Sequence, residues 1–122
     1  MGFIKYYRPT ILLTPTNGIL KGSGRSIPGF NLYEALCECQ NLLENFGGHS
    51  QAAGLSLTPE NLGAFRTKIN GLASSILKEE DLMPAILLDG EINLEEVDFQ
   101  LLDEISQLEP FGASNPEPLL AY

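Results

Sequence analysis

Two short glycine-rich stretches hold the side chains best suited to chemistry. Residues 22–26 read GSGRS and set Arg25 between Ser23 and Ser26. A guanidinium, two hydroxyls and accessible backbone N–H groups make a set that binds phosphate. The plain alternative is a surface arginine beside a β-bulge. Residues 45–54 read NFGGHSQAAG and carry the only histidine of the chain, His49, behind Gly47 and Gly48. Gly47 as a left-handed helix cap would need no function. Gly48 would let the backbone approach a ligand while His49 donates a hydrogen bond to phosphate, with Ala52, Ala53 and Gly54 leaving room. The plain alternative for His49 is a surface or loop residue. No serine stands at a nucleophile elbow and no triad is visible, which argues against a nucleophile-activating histidine.

The other reactive side chains make weaker sets. Glu79, Glu80 and Asp81 are a charge run at a helix end, and Glu95, Glu96, Asp98, Asp103 and Glu104 fall mostly on one polar helix face. Both read as solvated surface. EF-hand, P-loop and zinc-hydrolase spacings are lacking. Cys37 and Cys39 form C-x-C, and positions two apart on a helix do not share a face. No second Cys or His pair follows at zinc spacing, so two free thiols in a reducing cytosol are expected.

Charge divides the chain. Residues 1–54 set Lys5, Arg8, Lys21 and Arg25 against Glu34, Glu38 and Glu44, a net of +1 within a total of −9. Residues 55–122 set Arg66, Lys68 and Lys78 against 13 acids, a net of −10. The acidic half argues against a broad nucleic-acid footprint there. A small anion site in the first half stays compatible, because local fields outweigh net charge at contact distance. No apolar run approaches membrane-spanning length, and the opening MGFIKYYRP lacks the apolar core of a signal peptide.

The elements that must position these residues follow from patterning. RPTILLTPT (8–16) reads as a buried strand, and Asn17-Gly18 as a hairpin turn into a second strand over 19–27. Gly22 and Gly24 there imply a bulge or a close backbone approach. Asn31 caps a helix over 31–46, with Glu34 in capping-box position and Gly47 at its end. A short strand over 52–58 follows, then a helix over 59–78 capped by Thr58 with Pro59 at its first position. This is an α/β arrangement, β-β-α-β-α, with helices on a small mixed sheet. A strand over 85–94 and a helix over 95–108 come next. We expect residues 1–80 to form one domain and 81–122 a strand-helix connecting segment. The chain stops without a closing element, as a piece of a longer protein would.

Taken together, GSGRSIPGFNLYEAL, LLENFGGHSQAAGLSL and LEPFGASNPEP resemble the RecJ family of single-strand-specific 5′→3′ DNA exonucleases, over nearly the whole chain. The resemblance implies a DHH-associated domain followed by the segment leading toward an OB-type domain. It implies a role in DNA repair and recombination, with single-stranded DNA as partner, no membrane, and a cytoplasmic setting. The family's two-metal Mn2+ or Mg2+ centre lies in a DHH domain, and no DHH tripeptide occurs here, so this chain alone is expected to be inactive and to bind no metal. Ser23, Arg25 and Ser26 match the family motif that holds phosphate near the 5′ end. Gly47, Gly48 and His49 match the loop that contacts substrate phosphate. Gly24 stands where the family often has alanine, which should loosen the strand. Two other readings are the equivalent domain of a DHH phosphodiesterase acting on oligonucleotides or cyclic dinucleotides, and a non-catalytic interaction domain. The latter would set Arg25 and His49 far apart or away from a shared cleft.

Overall fold

The computed structural model describes residues 6–122. Residues 1–5, the start of the opening that lacks the apolar core of a signal peptide, lie outside the described residues. The chain divides into two compact units, Met1–Pro84 and Ala85–Tyr122.

The first unit begins with strands β1 (Thr10–Thr16) and β2 (Ile19–Arg25). Their turn residues Asn17 and Gly18 have φ of 50° and 81°. Two successive left-handed residues make the type I′ geometry that matches strand twist. Pairing then runs without interruption from Thr16↔Ile19 to Thr10↔Arg25. There is no bulge, so the glycines of β2 serve close packing. A Cβ on Gly22 would lie 2.6 Å from Leu13 Cδ2, and one on Gly24 would lie 2.7 Å from Leu32 Cδ2. Gly24 thus lets a helix residue seat on the strand rather than loosening it.

Helix α1 (Leu32–Glu38) starts at Asn31, whose Oδ1 accepts the Glu34 N–H at 3.2 Å. It is shorter than the expected 31–46. A 3-10 turn at Gln40–Leu42 leads into β3 (Asn45–His49), which pairs with β4 (Ala52–Leu57). Leu42, Leu43 and Phe46 have helical spacing, yet they pack on the core from a turn and a strand. Pairing with β4 gives the residues of β3 backbone partners while Leu42, Leu43 and Phe46 still reach the core, and this tertiary gain outweighs the local period. Gly47 is therefore a strand residue opposite Gly54 and not a helix cap. The expected Gly47-Gly48-His49 loop is a strand edge.

The sheet order is β1-β2-β4-β3, and every pairing is antiparallel. The expected helices on a small sheet do form, but the sheet is antiparallel rather than mixed and the order is β-β-α-β-β-α. The cause is the extra hairpin: the chain crosses through α1 to the far edge, then the Ser50-Gln51 turn returns β4 beside β2. Helix α2 (Leu62–Ile76) follows a 3-10 turn at Pro59–Asn61. Thr58 gives that turn no side-chain cap. Asn61 Nδ2 instead donates to Leu42 O at 3.1 Å.

Both helices contribute to one core with one face of the sheet. Leu55 and Leu57 of β4 meet Leu32, Leu36 and Cys39 of the α1 segment and Phe65 of α2. Leu36, Leu57 and Cys39 are fully buried. Strand alternation sends the neighbouring side chains to the opposite, uncovered face.

The second unit is thinly packed. Strands β5 (Gly90–Glu91) and β6 (Leu120–Ala121) pair in parallel, and α3 (Phe99–Ser106) is capped by Asp98 Oδ1, which accepts the Leu101 N–H at 2.9 Å. The strand expected over 85–94 shrinks to two residues because nothing in the unit buries it: Ile86, Leu87 and Leu88 are exposed. The helix expected over 95–108 loses its first turn to a 3-10 segment, Leu94–Glu96, closed by the Asn93 N–H donating to Glu96 Oε2 at 2.9 Å. Asn115 ties the EPFGASNPEP loop, its Nδ2 donating to Leu108 O at 2.8 Å and Pro110 O at 3.1 Å.

Candidate nucleic-acid interface

Register decides which side chains meet. Arg25 of β2 and His49 of β3 both pair with Ala52 of β4. They therefore stand in one row across the sheet, on one face, two strand spacings or about 9.6 Å apart at the backbone. Ser23 stands two residues along from Arg25, in the row of Gly54 and Gly47. All of these lie on the uncovered face, where Ser23, Gly54, Gly47 and His49 are exposed. The four strands contain no aspartate or glutamate. In a chain of net charge −9, this face carries Lys21 and Arg25 with no carboxylate among its strand residues.

Hydrogen bonds orient the donors. Arg25 Nη1 donates to Gly24 O at 2.9 Å and to Ser23 Oγ at 3.2 Å. That commits one nitrogen of the guanidinium and leaves Nε and Nη2 as donors. Ser23 Oγ, acting as acceptor to Arg25, keeps its own O–H to donate elsewhere. Gln51 N–H donates to His49 Nδ1 at 3.3 Å, so the neutral ring carries its proton on Nε2, again as a donor. Ser23, Arg25 and His49 together present donors and a positive charge over a floor of Ala52 and Gly54.

The two ends of the site are tied. Ser26 N–H donates to Gln51 O at 2.9 Å and Leu32 N–H to Ser50 O at 3.0 Å. These bonds hold the β3–β4 turn against the chain leaving β2, which fixes His49 relative to Arg25.

Two expected site residues have a part in the fold. Ser26 is buried, and its hydroxyl donates to Phe30 O at 2.7 Å. That bond closes the turn into α1 and removes the hydroxyl from the phosphate set. Gly48 has φ of 142°, and a Cβ there would collide with Ala52 O and lie 2.5 Å from Ala53 Cα. It pairs with Ala53 on the packed side, so its glycine is demanded by the sheet. Gly47 differs: a Cβ there meets nothing within 4 Å. Its bareness is not required for packing, and it leaves the face open beside His49. Sequence reasoning missed Lys21, Asn45 and Ser56, which share this face one row beyond Gly54. The alternation of β2 could have revealed Lys21.

Among the described residues no three His, Cys, Asp or Glu side chains gather so as to hold a metal ion. Among them, too, no helix is long and apolar enough to cross a membrane.

Residues 5–75 match the DHHA1 domain family, and residues 88–122 match the RecJ OB domain. The single-stranded-DNA-specific exonuclease RecJ of Bacillus subtilis is 42% identical over 116 residues, covering 93% of this chain and 15% of that protein. The RecJ of Haemophilus influenzae is 36% identical over 119 residues, covering 93% of this chain and 21% of that protein. A crystal structure of RecJ in complex with Mn2+ from Thermus thermophilus superposes with a TM-score of 0.81 at 30% identity, over 97% of this chain and 17% of that one. The same protein in complex with Mg2+ gives 0.80. The chain thus spans about a fifth or less of the length of these relatives. With its first unit matched as a DHHA1 domain and its second as RecJ OB sequence, the chain belongs to the RecJ family.

Proposed function

We propose that this chain is the strand-positioning part of a metal-dependent 5′→3′ single-strand DNA exonuclease used in repair and recombination. The observation that carries the reading is the acid-free sheet face on which Ser23, Arg25 and His49 stand together. Three sets of donors with no competing carboxylate favour a phosphate over a cation or a neutral ligand. Phosphate contacts position a strand without reading its bases, which suits an enzyme acting on any single strand. The setting is a reducing cytoplasm, consistent with two free cysteines.

In this reading residues 1–80 bind phosphate, and 81–122, expected as a connecting segment, run directly into OB-type sequence, because residues 88–122 match the RecJ OB domain itself. Mn2+ or Mg2+ would be held elsewhere in the complete protein and would supply the activated water. This chain's residues bind and orient the strand. The same-row placement of Arg25 and His49 disfavours a pure interaction domain, and the RecJ OB match disfavours a smaller DHH phosphodiesterase.

The test is equilibrium binding and turnover by the complete protein with Arg25→Ala. Loss of charge-assisted bonds should cost about 1.5–3 kcal/mol in binding a 5′-phosphorylated strand. An equal response with an unphosphorylated strand would remove the 5′-phosphate role. His49→Ala should slow turnover with metal content unchanged, and loss of metal would mean a different role.

A further inference from the structure

We propose that Lys21, with Asn45 and Ser56, forms a second phosphate position on the same face, so that the domain grips a single strand at two phosphates. This rests on Ser23, Arg25 and His49 being the first position.

Lys21, Ser56 and Asn45 stand in one row across β2, β4 and β3, as Arg25, Ala52 and His49 do. The rows are four residues apart along β2, β4 and β3, about 13 Å at strand rise. That exceeds one nucleotide repeat of an extended single strand, so the two rows would meet different phosphates. An open hollow lies over the second row, lined by Lys21, Asn45, Gly47, Gly54 and Ser56 among others. Between the rows the floor is bare: a Cβ on Gly47 would meet nothing within 4 Å, and one on Gly54 only Gly22 O at 3.8 Å. A backbone can therefore run from one row to the other.

Chemistry favours an anion at the second row as at the first. Among the described residues Lys21 has no ion pair, and the one that forms is Lys78–Glu80. The nearest acid in sequence is Glu44, one residue before Asn45; its backbone N–H donates to Ser56 O at 2.8 Å, and it makes no ion pair with Lys21. An ammonium on a flexible stem, an amide and a hydroxyl recognise phosphate as a charge without fixing its orientation. The first row grips the end, and the second holds the strand in line.

The test uses the complete protein without divalent metal, so that strands stay intact. A 5′-phosphorylated dinucleotide and an octanucleotide are titrated over a range of salt, with Lys21→Ala, Lys21→Arg and Arg25→Ala. Lys21→Ala should lower the salt slope for the octanucleotide by about 0.7, one phosphate's share on a single strand. It should leave dinucleotide binding unchanged, and Lys21→Arg should restore the slope. An unchanged octanucleotide slope, or an equal loss with the dinucleotide, would overturn the inference while leaving the first position intact if Arg25→Ala still weakens both lengths. A Lys21 effect with none from Arg25→Ala would overturn the two-point grip and the first position together. Lys21 is exposed, and unchanged thermal unfolding of its variants excludes misfolding as the cause.

Discussion

Adjacent glycines in the GGH stretch have separate causes, and substitution should separate them. Gly48→Ala puts a side chain at φ of 142° and into the β4 backbone. Strain and overlap together should destabilise the chain by at least about 2 kcal/mol, read by thermal or denaturant unfolding. Gly47→Ala meets open space and should leave stability within about 0.5 kcal/mol, while crowding the strand path beside His49. Equal losses from the two would show that Gly47 is structural as well. The two thiols should also part company. Burial pushes the Cys39 thiol above its ordinary value of 9.0, with Lys68 pulling it down and Glu38 adding to the rise. A folded group that holds its proton while the unfolded chain ionises loses stability as pH climbs. Cys39 therefore contributes fully below about pH 9, and its share declines above that. At about pH 8 a thiol reagent should modify half-buried Cys37 and reach Cys39 only on unfolding. Modification of both at one rate in the native protein would contradict this.

Capping shows what an element owes to local sequence. Asn31→Ala removes the acceptor for the Glu34 N–H and should cost about 1 kcal/mol in unfolding free energy. A loss below a few tenths would show that packing alone sets the start of α1. Features of this kind were legible because their causes lie within a few residues: the Asn17-Gly18 turn, the Asn31 cap and the proline-led turn into α2. The β3 strand was not, since NLLENF has a helical period and its strand state depends on pairing with residues up to eleven positions further on. The residues of the candidate site divide in the same way. Ser23, Arg25 and His49 were legible from side-chain type. The burial of Ser26 and the membership of Lys21 depend on face and register, which only the paired sheet fixes.

The whole chain is two units of unlike quality: one has a continuous core, and none of residues 85–122 is buried. With a net charge of −9 and one proposed binding face, the isolated chain should bind single-stranded DNA weakly or undetectably. Nanomolar affinity at physiological salt, measured by fluorescence anisotropy, would show that the chain suffices for binding. The sheet order has a consequence in time. Strands β1 and β2 form one hairpin, β3 and β4 another, and each closes through a two-residue turn. Hairpins of this kind form in about 1–10 μs. The remaining seam, β2 on β4, joins residues as distant as Leu20 and Leu57 and must close a long loop across α1, which slows it. Arg25 and Ser23 ride on the first hairpin and His49 on the second, so the proposed binding face comes into being only when the seam closes. Anion affinity should then appear with the slowest phase of refolding, which makes the ligand a clock for the final assembly of the sheet.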